Sequence, residues 1–472
     1  MAGTPRGFFT LAGGEAVARI VAFGTTIVLA RALGPEMYGA VAVGMGLLLY
    51  LTQLADGGVE LAGMPVVARA PEDAGAIATA ALRRRLLVAA AIMLAVAPVA
   101  LGLMPRPDGI VLFILSLGLP FTALSVRWVY LGLERPATVA RSRIAGDLVT
   151  ALLVVALVRG PDDVRLAPMA TVLGTALTSV VMLVGLARLG VRLQRTGAAP
   201  PIVSMLERGR HLVLFTILGL LMYNIDLIIL RYAKGEFLAG QYGAAYVMIS
   251  FCANIAVAYA HTVMPSLARG AGSSADAAVS PVPASDVYAS AQVAAVAVSL
   301  PVAVGGAIVA PALVAMLFGA QYASSAIALQ ILLVSVPLSA LRELAIASLI
   351  AHHRERDLLR VNAISAVVNI GLNLALIPPF GLVGAAIATP VAEVVRLLLA
   401  ALAAQTDLQG AVPVRRLGRC GVAAAGMWLV IELTGVGSLA ATIALGAVTY
   451  GLLLILLGAI RLGGTLRPQW TG

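Results

Sequence analysis

Residues 13–44 read GGEAVARIVAFGTTIVLARALGPEMYGAVAVG, and this stretch decides the fold. It is a long apolar run with Glu15 and Arg19 inside it, closed by the tight turn LARALGPEMYG at Leu29–Gly39. A related pattern returns as NIDLIILRYAKGEFLAGQYGAAYV at Asn224–Val247. Each copy gives an apolar helix, an arginine near its end (Arg31, Arg231), a short polar turn, and Tyr-Gly-Ala opening the next helix (Tyr38, Tyr242). A repeated membrane hairpin that keeps arginine inside its first helix predicts two lobes and a passage for an anionic substrate.

Composition supports the membrane reading. Of 472 residues, 61% are hydrophobic and 11% charged, against roughly half and a quarter in soluble domains. The mean hydropathy is +1.00. These values predict a polytopic membrane protein with no room for a sizeable soluble domain. A net charge of +10 would suggest nucleic acid in a soluble chain. Here arginines in cytoplasmic loops account for it, because they orient the helices. Cys252 and Cys420 lie in apolar runs, so neither a disulfide framework nor a metal cluster is implied. The first apolar run contains Glu15 and Arg19 and lacks a convincing cleavage site, so it reads as a retained helix.

A hydrocarbon core of about 30 Å takes about 20 apolar residues per helix, which gives about fourteen spans. They lie near 12–33, 38–62, 84–104, 110–133, 143–159, 166–187 and 211–231. The remainder lie near 240–263, 287–310, 323–349, 358–378, 382–404, 416–435 and 438–460. An N-terminus inside places the arginine groups at 83–85, 135–143, 188–210, 354–360 and 415–419 in cytoplasmic loops. The opposite loops keep only Arg106, Arg159, Arg165 and Lys234, plus Arg31 and Arg231 at helix ends as interfacial anchors, so both termini are expected in the cytoplasm. Leu189–Gly209 is basic and suits a connection between halves, and Arg269–Asp286 reads as a flexible cytoplasmic loop.

The repeat extends beyond the hairpin. LPFTAL (Leu119–Leu124) and VPLSAL (Val336–Leu341) are separated by the same interval as Arg143 and Arg360. The expected organisation is a six-helix lobe over 1–190, a linker over 191–210, a second six-helix lobe over 211–405, and two extra helices with a tail over 406–472. The fold class is therefore all-α, with two lobes in parallel pseudo-repeat. Repeats of this kind place the substrate site between lobes near the midplane.

LARALGPEMYG, NIDLIIL with Asp226, LFGAQYASSAIALQIL (Leu317–Leu332) and IPPFGLVGAAIATPVAEVVR (Ile377–Arg396) keep one order along the chain. As a set they resemble the polysaccharide flippases of the multidrug/oligosaccharidyl-lipid/polysaccharide superfamily, which act on O-antigen, exopolysaccharide and lipid II precursors. The resemblance implies a bacterial inner-membrane flippase that exports an undecaprenyl-diphosphate-linked glycan by alternating access. It implies the lipid bilayer and other polysaccharide assembly proteins as partners, and no nucleic acid. No cofactor is expected; coupling to the membrane potential, H+ or Na+ is left open. A multidrug or organic-cation antiporter of the same fold is the closest rival, and a membrane glycan polymerase or ligase a more distant one. Enzyme motifs are absent: there is no phosphate-binding glycine loop and no metal-spaced His/Cys set.

Ionisable groups inside spans are the candidate site, since each costs about 2.5–3.5 kcal/mol at a helix centre. Arg19, Arg127, Arg342 and Arg396 offer planar forks that suit phosphate. Glu15 stands four residues before Arg19, and Glu393 three before Arg396, so both arginines can also be neutralised along their own helices. Asp56 and Glu60 lie four apart and can meet sugar hydroxyls or neighbouring arginines. The resemblance makes Asp226 a candidate for cation or proton coupling. Pro120, Pro337 and Pro390 are candidate bending points.

Overall fold

A bilayer offers no water to the main chain, so an apolar chain must close its hydrogen bonds within helices. The computed structural model describes residues 5–191, 193, 224–270, 284–352, 354–408, 412–462 and 468–470, almost all of them helical. Ten stretches among the described residues are long and apolar enough to cross a membrane. The span expected near 211–231 lies mostly outside the described residues, and the one near 143–159 is helical without being one of the ten. Most of the linker over 191–210, and residues 271–283 of the expected flexible loop, also lie outside them. Outward faces are apolar, with Leu94 72% and Leu433 77% exposed, while Arg342 and Asn373 are fully enclosed. That inverted polarity belongs to a protein solvated by lipid.

The chain parts into two units, Met1–Gly240 and Gln241–Gly472. In the first, α1 (Pro5–Asp56) is two helices joined at Gly34, whose φ of 73° only glycine adopts readily. Pro35 follows and has no N–H to continue the ladder, so LARALGPEMYG turns where the sequence predicts it. The second half of α1 stops at Asp56, short of the expected 62, because Gly57 and Gly58 both take positive φ. The Asp56 carboxylate accepts from Gly58 N (3.0 Å) and Glu60 N (3.3 Å), which starts α2 (Val59–Arg69).

Next comes α3 (Ala74–Gly102), and Arg83–Arg85 sit within this helix, not in a loop as expected. Consecutive helical residues point about 100° apart. Of the three, only Arg85 is buried.

The expected span 110–133 is three pieces: α4 (Asp108–Ser116), α5 (Leu119–Ala123) and α6 (Arg127–Gly132). Its second break frees carbonyls inside the protein, and Arg85 satisfies two of them. Its guanidinium donates to Ser125 O at 2.8 Å and Thr122 O at 3.1 Å, and pairs with Asp56 at 3.2 Å. Pro120 is in the first turn of α5, where its missing N–H costs no helical bond. Around these pieces Trp128, Tyr130, Ile77, Leu82 and Leu186 form a core, with Tyr130 donating its hydroxyl to Met182 O at 2.8 Å.

Helices α7 (Pro136–Leu157) and α8 (Leu166–Arg188) meet through glycine on both sides. A Cβ on Gly146 would lie 2.6 Å from Gly174 O and overlap Thr178 Oγ1; one on Gly174 would lie 2.6 Å from Gly146 O and overlap Thr150 Oγ1. Small residues of this kind let membrane helices pack backbone to backbone. Unit 1 ends with α9 (224–234) and the start of α10 (Glu236–Gly270), broken at Gly235 (φ 94°). Within unit 1 this start of α10 packs closely on α1: a Cβ on Gly39 would lie 2.9 Å from Gly240 N.

Unit 2 continues α10 and adds α11 (Ala284–Phe318), so both ends of the expected loop Arg269–Asp286 are helical. The next span is broken at Val334 into α12 (Ser325–Leu333) and α13 (Ser335–Ala351). Gln241 and Ser325 fix the start of α12, with Ser325 Oγ donating to Gln241 O at 2.7 Å. α14 (Glu355–Leu408) carries two of the expected spans, broken at Gly381 (φ 55°) after Pro378 and Pro379. α15 (Val414–Thr434) and α16 (Leu439–Leu456) pack on α11 through Met427, Ala423, Tyr450 and Val293. A short antiparallel ribbon, β1 (Ile460–Leu462) with β2 (Pro468–Trp470), is the one sheet among the described residues.

Two outcomes follow. Gly174→Ala should destabilise the purified protein by about 1–3 kcal/mol, read as a lower thermal-unfolding midpoint, whereas Gly24→Ala, with open space around it, should not. Asp56→Ala should strongly reduce accumulation in membranes, because it strands a buried guanidinium at a cost of about 3–5 kcal/mol. Adding Arg85→Met should restore part of it, measured by quantitative immunoblot of membrane fractions.

Candidate functional site

A cavity of about 1090 Å³ opens within unit 1, walled by α1, the start of α2, α3, α7, α8 and the broken segment α5–α6. Its charged lining residues are Asp56, Glu60, Arg85, Arg127, Arg143 and Asp147. They fall into two grades. Arg85 and Asp56 are locked, with side chains 6% and 11% exposed. Arg127 opens α6 and faces the cavity with 36% of its side chain exposed, as has Glu60. Its guanidinium binds the Glu60 carboxylate closely and lies 3.5 Å from Glu15, so one arginine bridges α1 and α2. Arg143 and Asp147 pair along α7 at 3.5 Å. Half-exposed pairs of this kind are worth about 0–1 kcal/mol and exchange partners easily, whereas a buried pair does not.

The remaining wall mixes hydroxyls with the apolar side chains Ala22, Leu29, Met45, Leu49 and Val154. Threonines of α1, α7 and α8 reach the cavity, together with Thr52, Gln53 and Ser125 near the charged end.

The sequence candidates are dispersed. Asp56, Glu60 and Arg127 come together in this cavity. Arg19 is exposed on α1 and does not line it, and Glu15, expected beside Arg19, reaches Arg127 instead. In unit 2, Arg342 is buried between Glu343 and Glu393, 2.7 Å from each. Arg396 donates to Asn362 Oδ1 at 2.8 Å and lies 4.0 Å from Glu393, so the expected pairing along α14 is present but loose. Asp226 is fully buried on α9, its Oδ1 accepting from Leu227 N at 2.7 Å.

Sequence reasoning missed Arg85, Arg143 and Asp147 as cavity residues. Arg85 was hidden in a run of three arginines that reads as a loop, and the available signal was that a helix turns only one of three inward. It also missed the buried pair of Arg231 with Asp108 (2.9 Å), joined by the more exposed Glu236 (2.9 Å), where an interfacial anchor was the expected role for Arg231.

Two family models match the chain. The model of the polysaccharide biosynthesis protein family covers residues 5–271, and that of the lipid II flippase family covers residues 147–458. No curated protein sequence matches. Among solved structures, a lipid II flippase in an inward closed conformation superposes with a TM-score of 0.76 at 12% identity, covering 95% of this chain and 98% of that one. An inward-facing multidrug transporter of the same superfamily gives 0.69 at 17% identity, covering 83% and 94%. An outward-facing form of such a transporter gives 0.63 at 18%, covering 85% and 94%. The structures establish the fold and the family models establish membership: the chain belongs to the polysaccharide biosynthesis protein and lipid II flippase families.

Proposed function

We propose that this protein flips an undecaprenyl-diphosphate-linked oligosaccharide from the cytoplasmic to the outer leaflet of a bacterial inner membrane, with both its termini in the cytoplasm. The observation that carries the reading is Arg127, a half-exposed guanidinium at the cavity wall whose two carboxylate partners come from different helices. A diphosphate entering the cavity replaces one carboxylate with a better bidentate partner and leaves the other free to move. Arg143 stands in the same cavity with a weak partner of its own. The locked Arg85 holds the break beneath them and is not spent on substrate.

Direction has a physical source. A diphosphate carries about two negative charges, and each gains about 2.3 kcal/mol per 100 mV on leaving a negative interior. Outward flipping therefore runs downhill in the membrane potential. Coupling to H+ or Na+ through the buried Asp226 is compatible with this scheme and is not required by it. The rival reading, export of organic cations, draws on the carboxylates Asp56, Glu60 and Asp147, which equal the arginines in number along the cavity. Two of the three are already matched to arginine within 3.5 Å and the third binds Arg127, so a cation would meet neutralised acids.

Depleting the protein should trap lipid-linked glycan in the cytoplasmic leaflet. Arg127→Ala should reproduce that block at normal abundance, with export lowered at least tenfold, and Arg127→Lys should lie between, keeping charge but losing the fork. Leaflet-resolved labelling of the lipid-linked glycan measures it. Normal leaflet distribution on depletion, together with increased sensitivity to lipophilic cations, would transfer the protein to the rival reading.

A further inference from the structure

The hydroxyl wall of the unit 1 cavity has a polarity that its composition does not reveal. Thr171, Thr175 and Thr178 follow one another at helical spacing on one face of α8, opposite Thr150 of α7 and with Thr25 and Thr26 of α1. A hydroxyl owns one donor and two acceptor lone pairs. In each of these threonines the donor is already used on a main-chain carbonyl one turn back. Thr171 donates to Ala167 O (3.2 Å), Thr175 to Thr171 O (2.9 Å) and Thr178 to Gly174 O (3.0 Å). Thr150 donates to Gly146 O (3.1 Å), Thr25 to Val21 O (2.8 Å) and Thr26 to Ala22 O (2.9 Å). What they turn to the cavity is oxygen lone pairs.

The wall is therefore an acceptor surface, and it is uncharged: the charged lining residues of α7 end at Asp147, and α8 contributes none. An acceptor surface without charge cannot hold phosphate, which also only accepts. It matches neutral groups rich in O–H and N–H. The guanidinium donors of the cavity that are not locked, Arg127 and Arg143, stand beside this wall. On α7, Arg143 and Thr150 are seven residues apart, about 10 Å along the axis, so the two chemistries are adjacent and ordered.

We propose that the α7–α8 wall is the subsite for the sugar head group, recognised through its hydroxyl and amide N–H donors beside the arginine end that takes the diphosphate. The inference rests on the functional reading above and assigns part of its specificity to Thr171 and Thr175. Both bond only within α8 and both can be replaced by isosteric valine without opening a cavity.

Purified full-length protein is titrated with two probes, undecaprenyl diphosphate without sugar and the same lipid bearing one N-acetylated hexose. Wild type should bind the sugar-bearing lipid roughly tenfold more tightly, the worth of about two neutral hydrogen bonds. The double variant Thr171→Val/Thr175→Val should lose that preference and keep its affinity for the bare diphosphate lipid. Thr171→Ser/Thr175→Ser keeps the lone pairs and should keep the preference. No preference in wild type, or a preference retained by the valine variant, would overturn the subsite while leaving the functional reading intact. Wild type that binds neither lipid would overturn both.

Discussion

A helix that breaks within a membrane must find donors for the carbonyls it releases, and here the donor is Arg85. Its guanidinium caps Thr122 O and Ser125 O at the break before α6 and is itself neutralised by Asp56. Asp56 in turn accepts the first amides of α2. One buried charge pair thus fixes the end of α1, the start of α2, the register of α3 and the origin of α6. Arg127 owes its position at the cavity wall to that arrangement, since it is the first residue of α6.

The proposed function relies on the separation between a locked and a loose arginine. Removing either member of the Arg85 pair leaves an uncompensated buried charge. Arg127, with equal 36% exposure on itself and on Glu60, sits in a more polar environment where partners exchange at small cost. A substrate anion can compete there without unfolding its own binding site. Arg342 and Arg396 of unit 2 resemble Arg85 in burial, Arg342 held by Glu343 and Glu393 and Arg396 by Asn362 and Glu393.

Much of this was legible in the sequence. Hydropathy gave the helices, and LARALGPEMYG gave the turn because Gly34 and Pro35 admit no continuous helix at that point. The cost of charge in an apolar span singled out Asp56, Glu60 and Arg127, which the structure brings into one cavity. Pairing was not legible. Helical spacing joins Glu15 to Arg19, yet tertiary packing brings Glu15 to Arg127, and no local pattern encodes a contact over that separation. The run Arg83–Arg85 looked like a cytoplasmic loop because composition cannot distinguish three exposed arginines from a run in which one is buried. The acceptor character of the threonine wall was equally hidden, since it depends on which way each hydroxyl donates.

The central claim is that a lipid-linked anion crosses through the Arg127 end of the unit 1 cavity, driven outward by its own charge. The direct measurement is leaflet exchange of a fluorescent undecaprenyl-diphosphate glycan in vesicles containing the purified protein, with an imposed membrane potential. The account predicts movement away from the negative side that accelerates with potential and is lost in Arg127→Ala. Exchange that ignores the potential, or that proceeds equally in the Arg127→Ala vesicles, would contradict it.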